Sequence, residues 1–132
     1  MSGSIEQDTG LTRGDTRILH YLVRIPWPME RVWPALATAD GLARWCAPAG
    51  VLEPRLGGAV ELGGLGEGRV TAWDVDRVAE YTVTAGRLRF HLERAGDTAS
   101  VLRFTHEFRG AGGPETDWHP RFERLLESLD SP

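Results

Sequence analysis

From Ile18 to Pro26 the apolar side chains Leu19, Tyr21, Val23 and Ile25 alternate with His20, Leu22 and Arg24. That two-residue period predicts a strand with one buried face, ended by Pro26 and Pro28. Between Pro28 and Ala47 the period lengthens: Met29, Val32, Trp33 and Leu36 form one helical stripe, and Leu42, Trp45 and Cys46 a second. Thr38-Ala39-Asp40-Gly41 separates the two, so a pair of short helices is expected, the first kinked or shortened by Pro34, which lacks a backbone donor. Six further strands follow, punctuated by glycine: Val51 to Leu56, Ala59 to Leu65, Gly68 to Asp74, Glu80 to Ala85, Leu88 to Arg94 and Ser100 to Arg109. Ala95-Gly96-Asp97 supplies a tight turn between the last two. After Gly110 to Pro114, the residues Trp118, Phe122, Leu125, Leu126 and Leu129 line one face of a final helix. Met1 to Asp15 shows neither period, and residues 1–16 are expected to form a mobile leader before a single domain over 17–132.

An amphipathic helix beside a sheet buries its stripe only by lying across one face of that sheet. The expected fold is therefore α+β, with a curved antiparallel sheet of about seven strands wrapped around the long C-terminal helix. Two short helices follow the first strand.

Composition narrows the function classes. The chain has 132 residues, 41% hydrophobic and 26% charged, which suits one globular domain. A net charge of −4 lacks the basic footprint of nucleic-acid binding, and no apolar stretch is long enough to span a bilayer. The single cysteine, Cys46, cannot form an internal disulfide, and no basic segment leads into an apolar signal core, so a cytoplasmic location is expected. All fifteen basic residues are arginine, a bias that points to coding composition rather than to chemistry.

Several local motifs stand in a suggestive order: Pro28-Met29-Glu30-Arg31-Val32-Trp33, Leu42-Ala43-Arg44-Trp45, Pro54-Arg55-Leu56-Gly57-Gly58, Gly68-Arg69-Val70-Thr71-Ala72-Trp73-Asp74, Thr105-His106-Glu107-Phe108 and Asp117-Trp118-His119. Together they resemble the START-like, helix-grip superfamily, also called SRPBCC. Within it the chain looks most similar to single-domain bacterial homologues of the heat-shock-protein ATPase activator C-terminal domain (AHSA-like). The resemblance covers roughly Arg17 to Leu129. It departs from the family's turn pattern at Thr38-Ala39-Asp40 and at Val75-Asp76. It implies an apolar cavity between sheet and terminal helix.

Strand parity selects the side chains that would meet a ligand there. Leu102, Phe104, His106 and Phe108 share one face, as do Leu88, Phe90 and Leu92 on the neighbouring strand, with Tyr81 on the next. Trp33, Trp45, Trp118 and Phe122 fall on helix stripes. The expected ligand-binding set is Trp33, Trp45, Tyr81, Phe90, Phe104, His106, Phe108, Trp118 and Phe122. His106 and Tyr81 are the candidates for acid–base work, set against the plainer reading that both are satisfied interior groups. The parity of Trp73 is ambiguous. Arg87, Arg89, Arg103 and Arg109 fall on the opposite, outer face. His20, His91, His106 and His119 show no metal-ligand spacing, no phosphate-cradling loop is present, and neither metal nor cofactor is expected. Cys46 sits in an apolar stripe without a neighbouring base.

Three functions follow. The first is binding of a small hydrophobic molecule in the cavity, whose mouth is expected between the helix pair and the Gly63 to Gly68 connection. The second is a co-chaperone-like protein-interaction module, whose partner is a chaperone or other protein and which needs a solid core. The third is a cyclase- or dehydratase-like enzyme using His106 and Tyr81. Monomer and homodimer are both open.

Overall fold

The computed structural model describes residues 3–7, 10–110 and 116–130. Nine strands and three helices follow the order β1 (Ser4–Gln7), β2 (Leu11–Arg13), β3 (Thr16–Ile25), α1 (Met29–Ala37), α2 (Ala39–Trp45), β4 (Ala49–Leu52), β5 (Ala59–Leu62), β6 (Gly66–Asp74), β7 (Val78–Val83), β8 (Gly86–Arg94), β9 (Ser100–Arg109) and α3 (His119–Asp130). All strand pairings are antiparallel, in the order β1-β3-β9-β8-β7-β6-β5-β4, with β2 also on the outer edge of β3. The architecture is α+β and broadly that of a helix grip.

Nine strands replace the expected seven. The two extra ones lie in the stretch read as a leader, where Ile5 pairs with Val23 and Leu11 with Ile18. Both are largely exposed and are joined to β3 through their main chains, so they need no alternating apolar side chains. The remaining seven strands are the predicted ones, shifted at their ends by up to four residues except at β9, which spans Ser100–Arg109 as expected.

β6 explains the ambiguous parity of Trp73. Val70 pairs with Tyr81 and Trp73 with Ala79, with a register shift between Val70 and Ala72. One extra residue in β6 lets Val70 and Trp73 both face inward although three positions separate them. Trp73 then packs edge-on against Trp33, ring centroids 5.3 Å apart.

α3 lies across the inner face through Phe122, whose ring contacts Tyr21 of β3, Phe104 of β9 and Trp45 of α2 at 5.3 to 5.6 Å. The Trp118 carbonyl accepts the first helical bond from Phe122, so Asp117 precedes the helix rather than opening it. The far end of α3 is held by Arg31, which donates to Leu129 O at 2.7 Å and stacks on Trp27; Trp27 in turn donates to Asp130 Oδ1 at 3.0 Å. No helix of the described residues is long and apolar enough to cross a membrane.

Candidate functional site

Trp118 stands at the centre of the space between sheet and α3. Its ring lies 4.4 Å from Phe104, 5.8 Å from His106, 5.9 Å from Phe122, 6.4 Å from Phe90 and 6.5 Å from Trp45. Tyr81 joins through Phe90, and Phe108 through His106. These are the spacings of rings in mutual contact, so the aromatic side chains fill this region with each other.

The polar atoms among them have internal partners. His106, fully buried, accepts the Trp118 indole N–H at Nδ1 (3.0 Å), and its Nε2 lies 2.8 Å from Ala85 O. The Trp118 main-chain N–H reaches the Tyr21 hydroxyl at 3.4 Å. Tyr81 donates its hydroxyl proton to Leu36 O at 2.6 Å, and the Trp45 indole donates to Ala35 O at 2.7 Å. Thr38 donates to Pro34 O at 2.7 Å while accepting from the Gly41 N–H at 2.9 Å, which caps α2. Three carbonyls at the end of α1, which have no partner within a helix, are thus satisfied by β7, α2 and the residue that joins the two helices. At the end of α2, Arg124 and Arg121 of α3 donate to Trp45 O and Cys46 O.

Burial weakens the acids of this region, all in one direction. The Cys46 thiol is pushed up to about 12, and the Tyr81 hydroxyl well above its ordinary range, both chiefly because the charged form would be desolvated. The Tyr21 hydroxyl is raised for the same reason. These groups stay neutral at physiological pH.

A cavity of about 670 Å3 opens elsewhere, at the end of the sheet where the β7–β8 turn meets the start of β3 and the end of β9. It is lined by Thr16, Thr82, Thr84, Ala85, Gly86, Arg87, Glu107, Phe108, Arg109 and Thr116. Gly86 is required there: its φ is +126°, and a Cβ would overlap Glu107 O. Phe108, largely buried, separates the cavity from His106, whose ring lies 4.8 Å behind it. Arg87 pairs with Glu107 at 3.1 Å, and its Nε is buried without a hydrogen-bond partner among the described residues.

No family model and no curated protein matches the chain. Solved structures do. CalU16 of Micromonospora echinospora superposes with a TM-score of 0.74 at 17% identity, covering 96% of this chain and 87% of its own. EF2215 of Enterococcus faecalis gives 0.74 at 18%, covering 95% and 78%. The Aha1 dimer from Colwellia psychrerythraea gives 0.70 at 20%, covering 85% and 95%. The likeness is one of fold.

Eight of the nine expected ligand-binding residues form one connected cluster, namely Trp45, Tyr81, Phe90, Phe104, His106, Phe108, Trp118 and Phe122. Trp33 packs with Trp73 instead. Phe108 is the member whose side chain borders the cavity just described. The Gly63 N–H donates to Pro48 O at 2.7 Å, which extends the β4–β5 pairing by one bond toward the Gly63 to Gly68 connection. The outer-face arginines Arg87, Arg89 and Arg103 pair with Glu107, Glu80 and Glu93, leaving Arg109 without an ion-pair partner among the described residues. His119 pairs with Glu123 one turn along α3, not with Asp117. No group of three metal-ligating side chains converges among the described residues. Sequence reasoning missed Thr16, Thr84, Arg87 and Arg109 as a set. They come from the ends of different strands, and the one local signal is the polar turn Thr82-Val83-Thr84-Ala85-Gly86-Arg87.

Proposed function

We propose that the protein binds a small hydrophobic molecule, seated at the end of the sheet rather than at the centre of the grip. The observation that carries this reading is the 670 Å3 cavity, where Phe108 and Ala85 stand among threonines and charged side chains, a volume in the range of small-molecule sites. Phe108 is the direct aromatic contact in this reading, and the cluster behind it, from His106 and Trp118 to Phe122, holds the wall rigid. The test is native mass spectrometry of the purified protein followed by titration with hydrophobic small molecules under tryptophan fluorescence. Saturable quenching that is lost in Phe108→Ala supports the reading; a clean mass with no response removes it.

A second reading, a protein-interaction module of the co-chaperone type, is favoured by one observation, the dense filling of the interior. It draws further support from the fold shared with the Colwellia Aha1 dimer. Saturable binding of a chaperone ATPase, with no small-molecule response, would select it. The cyclase-like reading has less support, because the Tyr81 hydroxyl and His106 Nε2 are both engaged with main-chain carbonyls.

A further inference from the structure

We infer that the cavity at the end of the sheet recognises the carboxylate of a small apolar monoacid, with Arg109 as its principal partner. This rests on the ligand-binding reading above and narrows it to a ligand class.

The charge balance of the lining points to one negative charge. Among the described lining residues Arg87 and Arg109 face one acid, Glu107, which Arg87 already neutralises at 3.1 Å. Arg109 is exposed, stands opposite Thr16 in the β3–β9 register, and has no ion-pair partner among the described residues. Arg87, Arg89 and Arg103 on the same outer face are each matched by a glutamate, whereas Arg109 borders the cavity with no such match among the described residues. A planar guanidinium presents parallel donors that fit a carboxylate. The Nε–H of Arg87, a lining residue, is buried without a hydrogen-bond partner among the described residues, and a buried donor without a partner favours a rearrangement that brings it an acceptor. Glu107 on the rim disfavours a second ligand charge. Phe108 and Ala85 offer the apolar body a floor, while the missing side chain at Gly86 leaves room beside it.

The experiment compares benzoate, benzamide and phenyl phosphate on the whole protein, following the amides of Gly86 and Gly110 in proton–nitrogen correlation spectra. Benzoate is expected to bind about tenfold more tightly than benzamide, the scale of one charge-assisted interaction. In Arg109→Gln that advantage disappears, and Arg109→Lys recovers part of it. Arg109 is exposed, so these variants keep the fold. Equal affinity for benzoate and benzamide overturns the acid inference and leaves the ligand-binding reading standing. Preference for phenyl phosphate overturns the monoanion assignment, and an advantage that survives Arg109→Gln overturns the role of Arg109. Absence of any shift with all three probes at millimolar concentration overturns both the inference and the reading beneath it.

Discussion

Trp118 donates its indole N–H to Nδ1 of His106 at 3.0 Å, and the other ring nitrogen of His106 sits 2.8 Å from Ala85 O. An indole can only donate and a carbonyl can only accept, so the imidazole is the neutral form with its proton on Nε2. One side chain thereby ties the segment before α3 to the β7–β8 turn.

The consequence is measurable. His106→Ala leaves a buried indole N–H and a carbonyl short of a partner and opens a gap beside Phe104, so stability falls by about 3 kcal/mol. Urea unfolding measures the loss, and nitrogen-edited spectra of the wild type show the Nε2–H tautomer. An unchanged urea midpoint for His106→Ala would contradict this structural role.

The end of α1 gives a second prediction. Tyr81→Phe removes only the hydroxyl that serves Leu36 O, and Trp45→Phe removes the donor to Ala35 O. Each leaves a buried carbonyl short of a partner. Tyr81→Phe costs roughly 1–2 kcal/mol, and Trp45→Phe costs more because it also removes ring volume packed against Phe90 and Phe122. Thermal or denaturant unfolding of both variants orders them in that sequence.

Cys46 sets an alkaline limit. Burial pushes its folded-state pKa up to about 12, against 9.0 for an exposed thiol. Below pH 9 the thiol is protonated in both states and has no effect on the balance. Between 9 and about 12 the unfolded thiol loses its proton while the folded one keeps it. Stability therefore falls as pH rises, approaching a slope of about 1.4 kcal/mol per unit from this group. Tyr81 adds a fall in the same direction above 10.0. Cys46→Ala flattens the part of the curve that begins near pH 9. At neutral pH the native thiol reacts with disulfide reagents only as fast as the protein opens, which a labelling time course in the presence and absence of urea checks.

Gly41 is held by contact rather than by backbone conformation. A Cβ there would overlap Pro34 O and crowd Ala35 Cα at 2.7 Å. Gly41→Ala pushes the two short helices apart and costs about 2 kcal/mol despite the higher helix propensity of alanine. An unfolding midpoint at or above that of the wild type would show that the helices can separate freely.

The parts of the fold that could be read from the sequence are those whose burial is periodic. β9 keeps strict alternation over Ser100–Arg109 and α3 keeps a clean stripe through Phe122, Leu125 and Leu129, so both are found. β1 and β2 carry no such signal, because an exposed edge strand is held by main-chain hydrogen bonds that any sequence can make. At Trp73 a bulge breaks the parity rule itself. For the site, the inward direction of Phe90, Phe104, His106 and Phe108 follows from alternation. How completely Trp45 and Trp118 fill the space between them depends on ring packing in three dimensions, which spacing along the chain does not encode. The cavity at the other end is assembled from Thr16, Thr84, Arg87 and Arg109, ninety-three positions apart at the extremes, and only the β3–β9 and β7–β8 registers bring them together.

The anchored carbonyls of Pro34, Ala35 and Leu36 also govern where the molecule can breathe. To swing α1 and α2 away from the sheet, the Tyr81 and Trp45 bonds must break together with the clasp of Arg121 and Arg124 on the end of α2. Such an opening approaches global unfolding in cost, and the amides of α2 should exchange with solvent as slowly as those of the central strands. The β7–β8 turn is held differently: the Ala85 N–H donates to Leu65 O at 2.8 Å and its carbonyl lies 2.8 Å from His106 Nε2, so this one residue fastens the turn both to the chain entering β6 and to β9.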